Sequence, residues 1–155
     1  MSKFKIIPLS TAYANRIRST MQDEYGHLLF RQHITGRALC RHCLSDGNKE
    51  QQQILFSYMP FEKSLTPYAE VGPVFVHEDC QQYHGTSVFP PDLLTRKYLM
   101  VRGYSNEQRL IAGDLSEGHA VEKSIDQLFT NPAIDFIHIN DGKTGCYFLR
   151  VERVE

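Results

Sequence analysis

The C-terminal segment contains the sequence feature that most restricts the fold. Residues 134–154, IDFIHINDGKTGCYFLRVERV, are two apolar runs separated by a short polar segment around Asp141-Gly142. An Asp-Gly pair between two such runs favours a tight turn, because both residues tolerate the positive backbone angles that hairpin turns require. The segment therefore predicts a β-hairpin, and its two strands must be antiparallel.

Short apolar runs between turn-forming residues predict further strands: KFKII, ILFSYMPF, VFV, KYLMVRGY and RLIAGDL. Two segments show helical periodicity instead. They are STAYANRIRSTMQDEYG at 10–26, with Ser10 or Thr11 as the N-cap, and AVEKSIDQLFTNP at 120–132. Because strands outnumber helices, we predict an α+β fold with a largely antiparallel sheet and two main helices on one face.

Length and composition are those of a single globular domain. The chain has 155 residues, of which 41% are hydrophobic and 23% charged, and we predict one domain over residues 1–155. Seventeen basic residues against eighteen acidic ones argue against a nucleic-acid partner, which needs clustered Lys and Arg. No apolar run reaches the ~18–20 residues of a membrane span. The N-terminus also lacks the apolar region of a signal peptide, so we expect a cytoplasmic protein with reduced thiols.

Two short motifs supply four potential metal ligands. Cys40 and Cys43 form a C-x-x-C motif, and His77 and Cys80 form an H-x-x-C motif later in the chain. A gap of two residues lets one tight turn present two ligands to one ion, and Zn²⁺ prefers four Cys or His ligands in a tetrahedron. The spacing makes Cys40, Cys43, His77 and Cys80 a candidate Cys3His site, with zinc as the candidate cofactor.

Other interpretations of the cysteines stay open. Buried cysteines often pack as small hydrophobic residues, and His77 can simply donate a hydrogen bond to a backbone carbonyl. A redox dithiol normally opens a helix, whereas LSDGN follows Cys43. Cys146 begins the last predicted strand and is expected in the core. A nucleophilic Cys146 would need His138 of the partner strand as its base. The candidate catalytic residues are thus His77 and Cys146.

A loop rich in proline and glycine, PFEKSLTPYAEVGPVFVH at 60–77, precedes the second motif. Rigid loops of this kind often position binding groups on a scaffold. Tyr68, Glu70 and His77 are therefore candidate binding residues. In the alternative interpretation the prolines only shape the loop, and Tyr68 packs on the core.

Several segments together resemble a bacterial family known as domain of unknown function 1203. They are CRHCL, YMPF, PYAEVGPVFVH with Cys80 after it, VRGY, and GCYF followed by RVER. The resemblance extends from about residue 4 to residue 153. It implies a stand-alone bacterial cytoplasmic domain, and it implies no activity, substrate or cofactor.

Three hypotheses of different classes follow. The first is a zinc-stabilised binding domain built on the Cys/His cluster. The second is a small-molecule enzyme or binding protein that uses a His/Cys pocket beside the loop at 60–77. The third is a metal-free interaction domain whose cysteines are structural. The sequence leaves all three open, and with them the question of enzymatic activity.

Overall fold

Eight strands form two antiparallel sheets in the structure, a computed structural model that describes residues 4–62, 66–85 and 87–154. The strands are β1 Phe4–Ile7, β2 Arg31–His33, β3 Gln52–Tyr58, β4 Gly72–His77, β5 Leu99–Tyr104, β6 Leu110–Ser116, β7 Phe136–Asp141 and β8 Tyr147–Arg153. The larger sheet has the order β1-β8-β7-β5-β6, and the smaller has the order β2-β3-β4. The α+β class and the antiparallel pairing are confirmed, with two sheets where one was predicted.

The predicted C-terminal hairpin forms the middle of the larger sheet. β7 pairs antiparallel with β8, β1 is added beside β8, and β5 is added beside β7. The Asp141 carboxylate accepts hydrogen bonds from the backbone N–H groups of Lys143 and Thr144, at 2.7 and 2.9 Å. The positive backbone angle falls on Gly145, with φ of 80°, and not on Gly142. Asp141 therefore stabilises the turn from its first position, and glycine is required at its end.

Three α-helices accompany the sheets: α1 Thr11–Thr20, α2 Pro91–Leu94 and α3 Val121–Leu128. Ser10 is the N-cap of α1, since its hydroxyl accepts the backbone N–H of Tyr13 at 3.1 Å. The helix ends before the predicted Gly26 because Met21 takes a left-handed conformation, with φ of 53°. None of the helices in the described part of the chain is long and apolar enough to cross a membrane.

The apolar interior consists of two clusters, and the two main helices belong to different ones. In the first cluster α2 and α3 pack on the larger sheet. It contains Phe4, Ile6, Leu39, Leu44, Phe89, Leu93, Leu99, Val101, Val121, Ile125, Ile134, Ile137, Ile139, Phe148, Leu149 and Val151. In the second cluster α1 packs on the smaller sheet, with Leu9, Ala14, Ile17, Leu29, Cys40, Ile54, Phe56, Val74 and Val76.

This division does not confirm the prediction of two helices on one face of one sheet. Amphipathic periodicity identified a buried stripe on each helix, but it carries no information about which surface that stripe meets. The sheets approach each other where β3 ends and β8 begins. There the rings of Tyr58 and Tyr147 lie 6.1 Å apart. The second cluster, with α1 and the smaller sheet, contains Cys40.

Candidate metal centre

The two predicted motifs meet at one point in the structure. One potential ligand atom from each of Cys40, Cys43, His77 and Cys80 lies within 4.8 Å of the others. The sulfurs of Cys40 and Cys80 are 3.7 Å apart, and the Cys43 sulfur is 3.4 Å from Nδ1 of His77. Around a tetrahedral Zn²⁺ with ordinary bond lengths, two sulfurs lie about 3.8 Å apart, and a sulfur and a nitrogen about 3.5 Å. These two distances match those of a tetrahedral site, and all four atoms lie close enough together to hold a metal ion.

A tight turn presents Cys40 and Cys43 on the same side of the backbone. The Leu44 backbone N–H donates to the Cys40 carbonyl at 2.8 Å, and the Cys43 backbone N–H points to the Cys40 sulfur at 3.5 Å. Leu44 has φ of 58°, which reverses the chain directly after the second cysteine. The buried Leu44 side chain packs into the first apolar cluster and helps to offset the strain of this conformation. No helix follows Cys43 in residues 44–51, so the helix N-terminus of a redox dithiol is missing.

The cysteine turn lies against β4, and this contact joins the two motifs. Cys40 forms a parallel bridge with Phe75, and the Arg41 backbone N–H donates to the Phe75 carbonyl at 2.9 Å. The backbone N–H of His77, the last residue of β4, donates to the Cys40 sulfur at 3.2 Å. Cys80 follows in the turn after the strand. Backbone pairing therefore sets the distance between the motifs.

Side chains from α1 and from the cysteine turn surround the Cys80 sulfur with donors. Arg18 donates to this sulfur at 3.2 Å and to the His77 carbonyl at 3.0 Å. Nδ1 of the buried His42 lies 3.1 Å from the same sulfur, and its Nε2 is 2.9 Å from the Thr11 hydroxyl. Burial, followed by the charge of Arg18, lowers the pKa of His42 and so favours the neutral ring. A neutral ring fits both contacts when Nδ1–H donates to the sulfur and Nε2 accepts from Thr11.

The short distances between the sulfurs determine which thiols of the cluster keep their protons. Burial raises the pKa of the Cys40 thiol, but hydrogen bonds from Cys43, Cys80 and His77 outweigh burial and lower that pKa below its usual range. Hydrogen bonds with Cys40 and Cys80, together with burial, raise the pKa of Cys43. Sulfurs this close can all ionise only when a cation lies between them. A divalent ion would take the place of the shared protons.

His77 faces the sulfurs through Nδ1, and its other ring nitrogen faces the backbone. Nε2 is buried and has no hydrogen-bond partner among the described residues. The backbone carbonyl that the alternative interpretation requires is therefore absent from that part of the chain. Gly47 lies beside the ring, where a Cβ atom would come within 2.8 Å of Nε2. The close packing at Gly47 fixes the orientation of the imidazole.

The other predicted site residues lie away from this cluster. Glu70, His138 and Cys146 line a separate cavity, whereas Tyr68 is 41% exposed and is not part of that lining. Burial, with the charges of Arg150 and Arg102, lowers the pKa of His138 to about 3, so it is a weak base for Cys146. Cys146 is half-buried at the start of the last strand.

Sequence reasoning missed two residues that contact the cluster. The sequence places Arg18 in a predicted helix, and no local pattern indicates that α1 reaches Cys80. His42 lies inside the C-x-x-C motif itself, so its position between two ligands was an available signal. Both residues contact the Cys80 sulfur without belonging to the four-residue cluster.

Comparisons with known proteins identify one relationship. A search of curated proteins and a search of solved structures each find no match. A model of the family described as "Protein of unknown function (DUF1203)" matches residues 38–153, a segment that includes all four residues of the Cys/His cluster. The match covers well over half of the chain, and the chain therefore belongs to the DUF1203 family.

Proposed function

We propose that this protein is a zinc-stabilised binding domain in which Cys40, Cys43, His77 and Cys80 hold one Zn²⁺ ion. The observation that carries the proposal is the spacing of the ligand atoms. A sulfur–sulfur distance of 3.7 Å and a sulfur–nitrogen distance of 3.4 Å come within about 0.1 Å of those of a tetrahedral zinc site. Packing alone does not require three thiols and an imidazole to converge in this way.

The donor set favours zinc over other common metals. Three thiolates and one imidazole are soft or borderline ligands, and a tetrahedral arrangement of them suits Zn²⁺. Mg²⁺ and Ca²⁺ take oxygen ligands, and the described residues place no carboxylate within the cluster. Zinc is therefore the ion that the site would hold under ordinary cellular conditions.

A structural role fits better than a catalytic one. Catalytic zinc sites usually keep one position open for water or substrate, whereas four protein ligands close the coordination sphere. Cys40 and His77 are also almost completely buried. The ion would hold the cysteine turn against β4 and α1, so its binding energy would contribute directly to folding.

The surrounding charges balance such a centre. Three thiolates around a dication carry one net negative charge, and the Arg18 guanidinium already contacts one of the sulfurs. Arg41 is buried next to Cys40, donates to the carbonyls of Leu39 and Tyr147, and forms no ion pair with any described carboxylate. A Cys40 thiolate bound to the metal would place negative charge near this otherwise unpaired guanidinium.

The test is the metal content of protein purified without chelator and without a metal-affinity tag. Elemental mass spectrometry should find one zinc per chain. Thiol counting on the same sample should find Cys146 reactive and the other three cysteines protected until chelator is added. Protein without bound metal, in which added zinc protects no thiol, would overturn the proposal. A Cys146→Ser variant is the matched control, because it should keep the metal and lose only the reactive thiol.

A further inference from the structure

A second site lies where the two sheets meet, and it is separate from the metal centre. A cavity of about 210 Å³ opens between the ends of β3 and β4 and the strands β5, β7 and β8. At about 30 Å³ per molecule of liquid water, it has room for roughly seven waters. None of the four cluster residues lines it. Its lining includes Tyr58, Phe61, Glu70, Arg102, His138 and Asn140.

Two residues that line this cavity each have a buried polar atom without a partner among the described residues. Nε2 of His138 and Oδ1 of Asn140 form no hydrogen bond with any described residue, although the two residues are only 2% and 5% exposed. The Asn140 amide nitrogen donates to the Gly145 carbonyl at 3.0 Å, which assigns the oxygen as the free end. Folded proteins leave few such groups unpaired, because each lost partner costs about 1–3 kcal/mol. Both residues belong to the lining of one cavity, and this indicates a polar occupant.

Strand register places a cation beside these two groups. Arg102 of β5 lies directly opposite His138 of β7, and Asn140 follows two residues later on the same face of β7. The Arg102 guanidinium contacts the two oxygens of Glu70 only at 3.4 Å, and Glu70 is largely exposed at the mouth. An ideal guanidinium–carboxylate pair has bonds of about 2.7–2.9 Å. Arg102 therefore keeps strong donor capacity for a better-placed anion.

Aromatic rings form the rest of the wall and hold the imidazole in place. The rings of Phe61, Tyr104 and Tyr147 lie 4.9, 5.1 and 4.9 Å from the His138 ring. This apolar packing and the neighbouring arginines also keep His138 neutral, with a pKa of about 3. A neutral imidazole carries one N–H, so Nε2–H can donate to an anionic ligand without adding charge.

We propose that this cavity binds a small carboxylic acid that carries a hydroxyl or amino group next to its carboxyl group. The carboxylate replaces Glu70 as the partner of Arg102 and accepts the hydrogen bond from His138. The hydroxyl or amino group donates to Oδ1 of Asn140. The small volume limits the rest of the ligand to a few carbon atoms, which lie against Tyr58 and Phe61. Each unpartnered atom on the wall thereby gains a partner.

Three matched probes test the ligand class on the full chain by ¹H–¹⁵N NMR titration. The first is 2-hydroxybutanoate, the second is 2-hydroxybutanamide without the charge, and the third is butanoate without the hydroxyl group. We expect 2-hydroxybutanoate to give saturable shifts at His138 and Asn140. The other two should bind at least about tenfold more weakly, since each loses a hydrogen bond or a charge.

Each alternative result of the titration overturns a stated part of the proposal. Equal binding of the amide would exclude a carboxylate site, and equal binding of butanoate would exclude the donor to Asn140. No saturable shift with any probe would mean that the cavity holds only water. Zinc content is measured on the same samples, so failure of this site and failure of the metal centre are distinguished.

Two variants separate a ligand role from a structural one. His138→Phe should weaken 2-hydroxybutanoate binding at least about tenfold while the unfolding temperature stays the same or rises, because an unpartnered buried atom is removed. A purely structural His138 would instead lower that temperature and leave probe affinity unchanged. Arg102→Gln should also weaken binding at least about tenfold, and Arg109→Gln, at an exposed arginine in the turn between β5 and β6, should not. Unchanged affinity in both site variants would overturn the proposal.

Discussion

His77 and His138 are both almost fully buried, 1% and 2% exposed, and their neighbours give them opposite properties. Burial lowers the pKa of His77, but hydrogen bonds with Cys40 and Cys80 outweigh it and raise the pKa to about 9. Burial, with the added charges of Arg150 and Arg102, lowers the pKa of His138 to about 3. Burial thus acts in the same direction on both rings, and the cysteine partners of His77 reverse its effect there, so that His77 favours a protonated ring and His138 a neutral one.

The largest effect should come from a ligand of the metal centre. Cys40→Ala is expected to remove the metal and to lower the free energy of unfolding by more than about 4 kcal/mol, because a core thiol and the metal are lost together. Urea unfolding with and without chelator measures this. Wild-type protein should lose stability when chelator is added, and the variant should not.

Cys146→Ala is the control for that experiment. Its thiol is half-buried and lies outside the cluster, so the change should cost no more than about 1 kcal/mol and keep the response to chelator. Equal losses in the two variants, with no effect of chelator on either, would show that the cysteines are packing residues.

The stability of the protein in acid should depend on His138. The folded pKa of His138 is about 3, below the unfolded value of about 6.5, so between them the unfolded chain binds a proton that the folded chain does not. The contribution of His138 to stability is therefore complete above about pH 6.5 and is lost progressively as the pH falls towards 3. From pH 7 to about pH 4.5 the loss should be about 2–3 kcal/mol.

Urea unfolding of wild-type and His138→Phe protein across this pH range isolates that contribution. The variant should lose less stability on acidification, by the same about 2–3 kcal/mol. Identical pH profiles for the two proteins would contradict a neutral, buried imidazole at this position.

The side chains that donate to the Cys80 sulfur should increase the affinity for zinc without being ligands. Arg18→Met removes the guanidinium that contacts this sulfur, and we expect zinc affinity to fall about 10- to 100-fold. Competition with a chromogenic chelator measures the affinity. Arg16→Met is the matched control, because this arginine of the same helix contacts the exposed Glu24 and the Tyr13 ring, neither of which belongs to the cluster. A loss shared by both variants would assign the effect to helix α1 and not to the sulfur contact.

A third buried histidine, His42, extends the comparison, and the expected loss of stability is smaller. His42 differs from His77 and His138 because both of its ring nitrogens have partners, Thr11 and Cys80. Thr11→Val keeps the side-chain shape and removes the hydroxyl, so it should lower the free energy of unfolding by about 1 kcal/mol. Thermal unfolding measures the loss, with Ser19→Ala on the same helix as the control. An unchanged stability of Thr11→Val would contradict the assigned hydrogen bond.

Local patterns predicted the elements that local chemistry determines. The Asp-Gly turn gave the hairpin, the Ser10 cap gave the start of α1, and two-residue gaps gave the pairs of the Cys/His cluster. The pattern could not show that the strands divide into two sheets, because pairing partners are not encoded locally. Nor could it show the contact of Arg18 with Cys80, 62 residues apart, or the unpartnered oxygen of Asn140. These depend on how distant segments pack.

Strand β4 has one further consequence. Gly72 and Pro73 at its start border the cavity, and His77 at its end belongs to the metal cluster. A single extended segment of about 16 Å therefore connects the two sites. Thermodynamic coupling between two sites is reciprocal. If bound zinc changes the affinity of the cavity for its ligand by some factor, the bound ligand must change the affinity for zinc by the same factor.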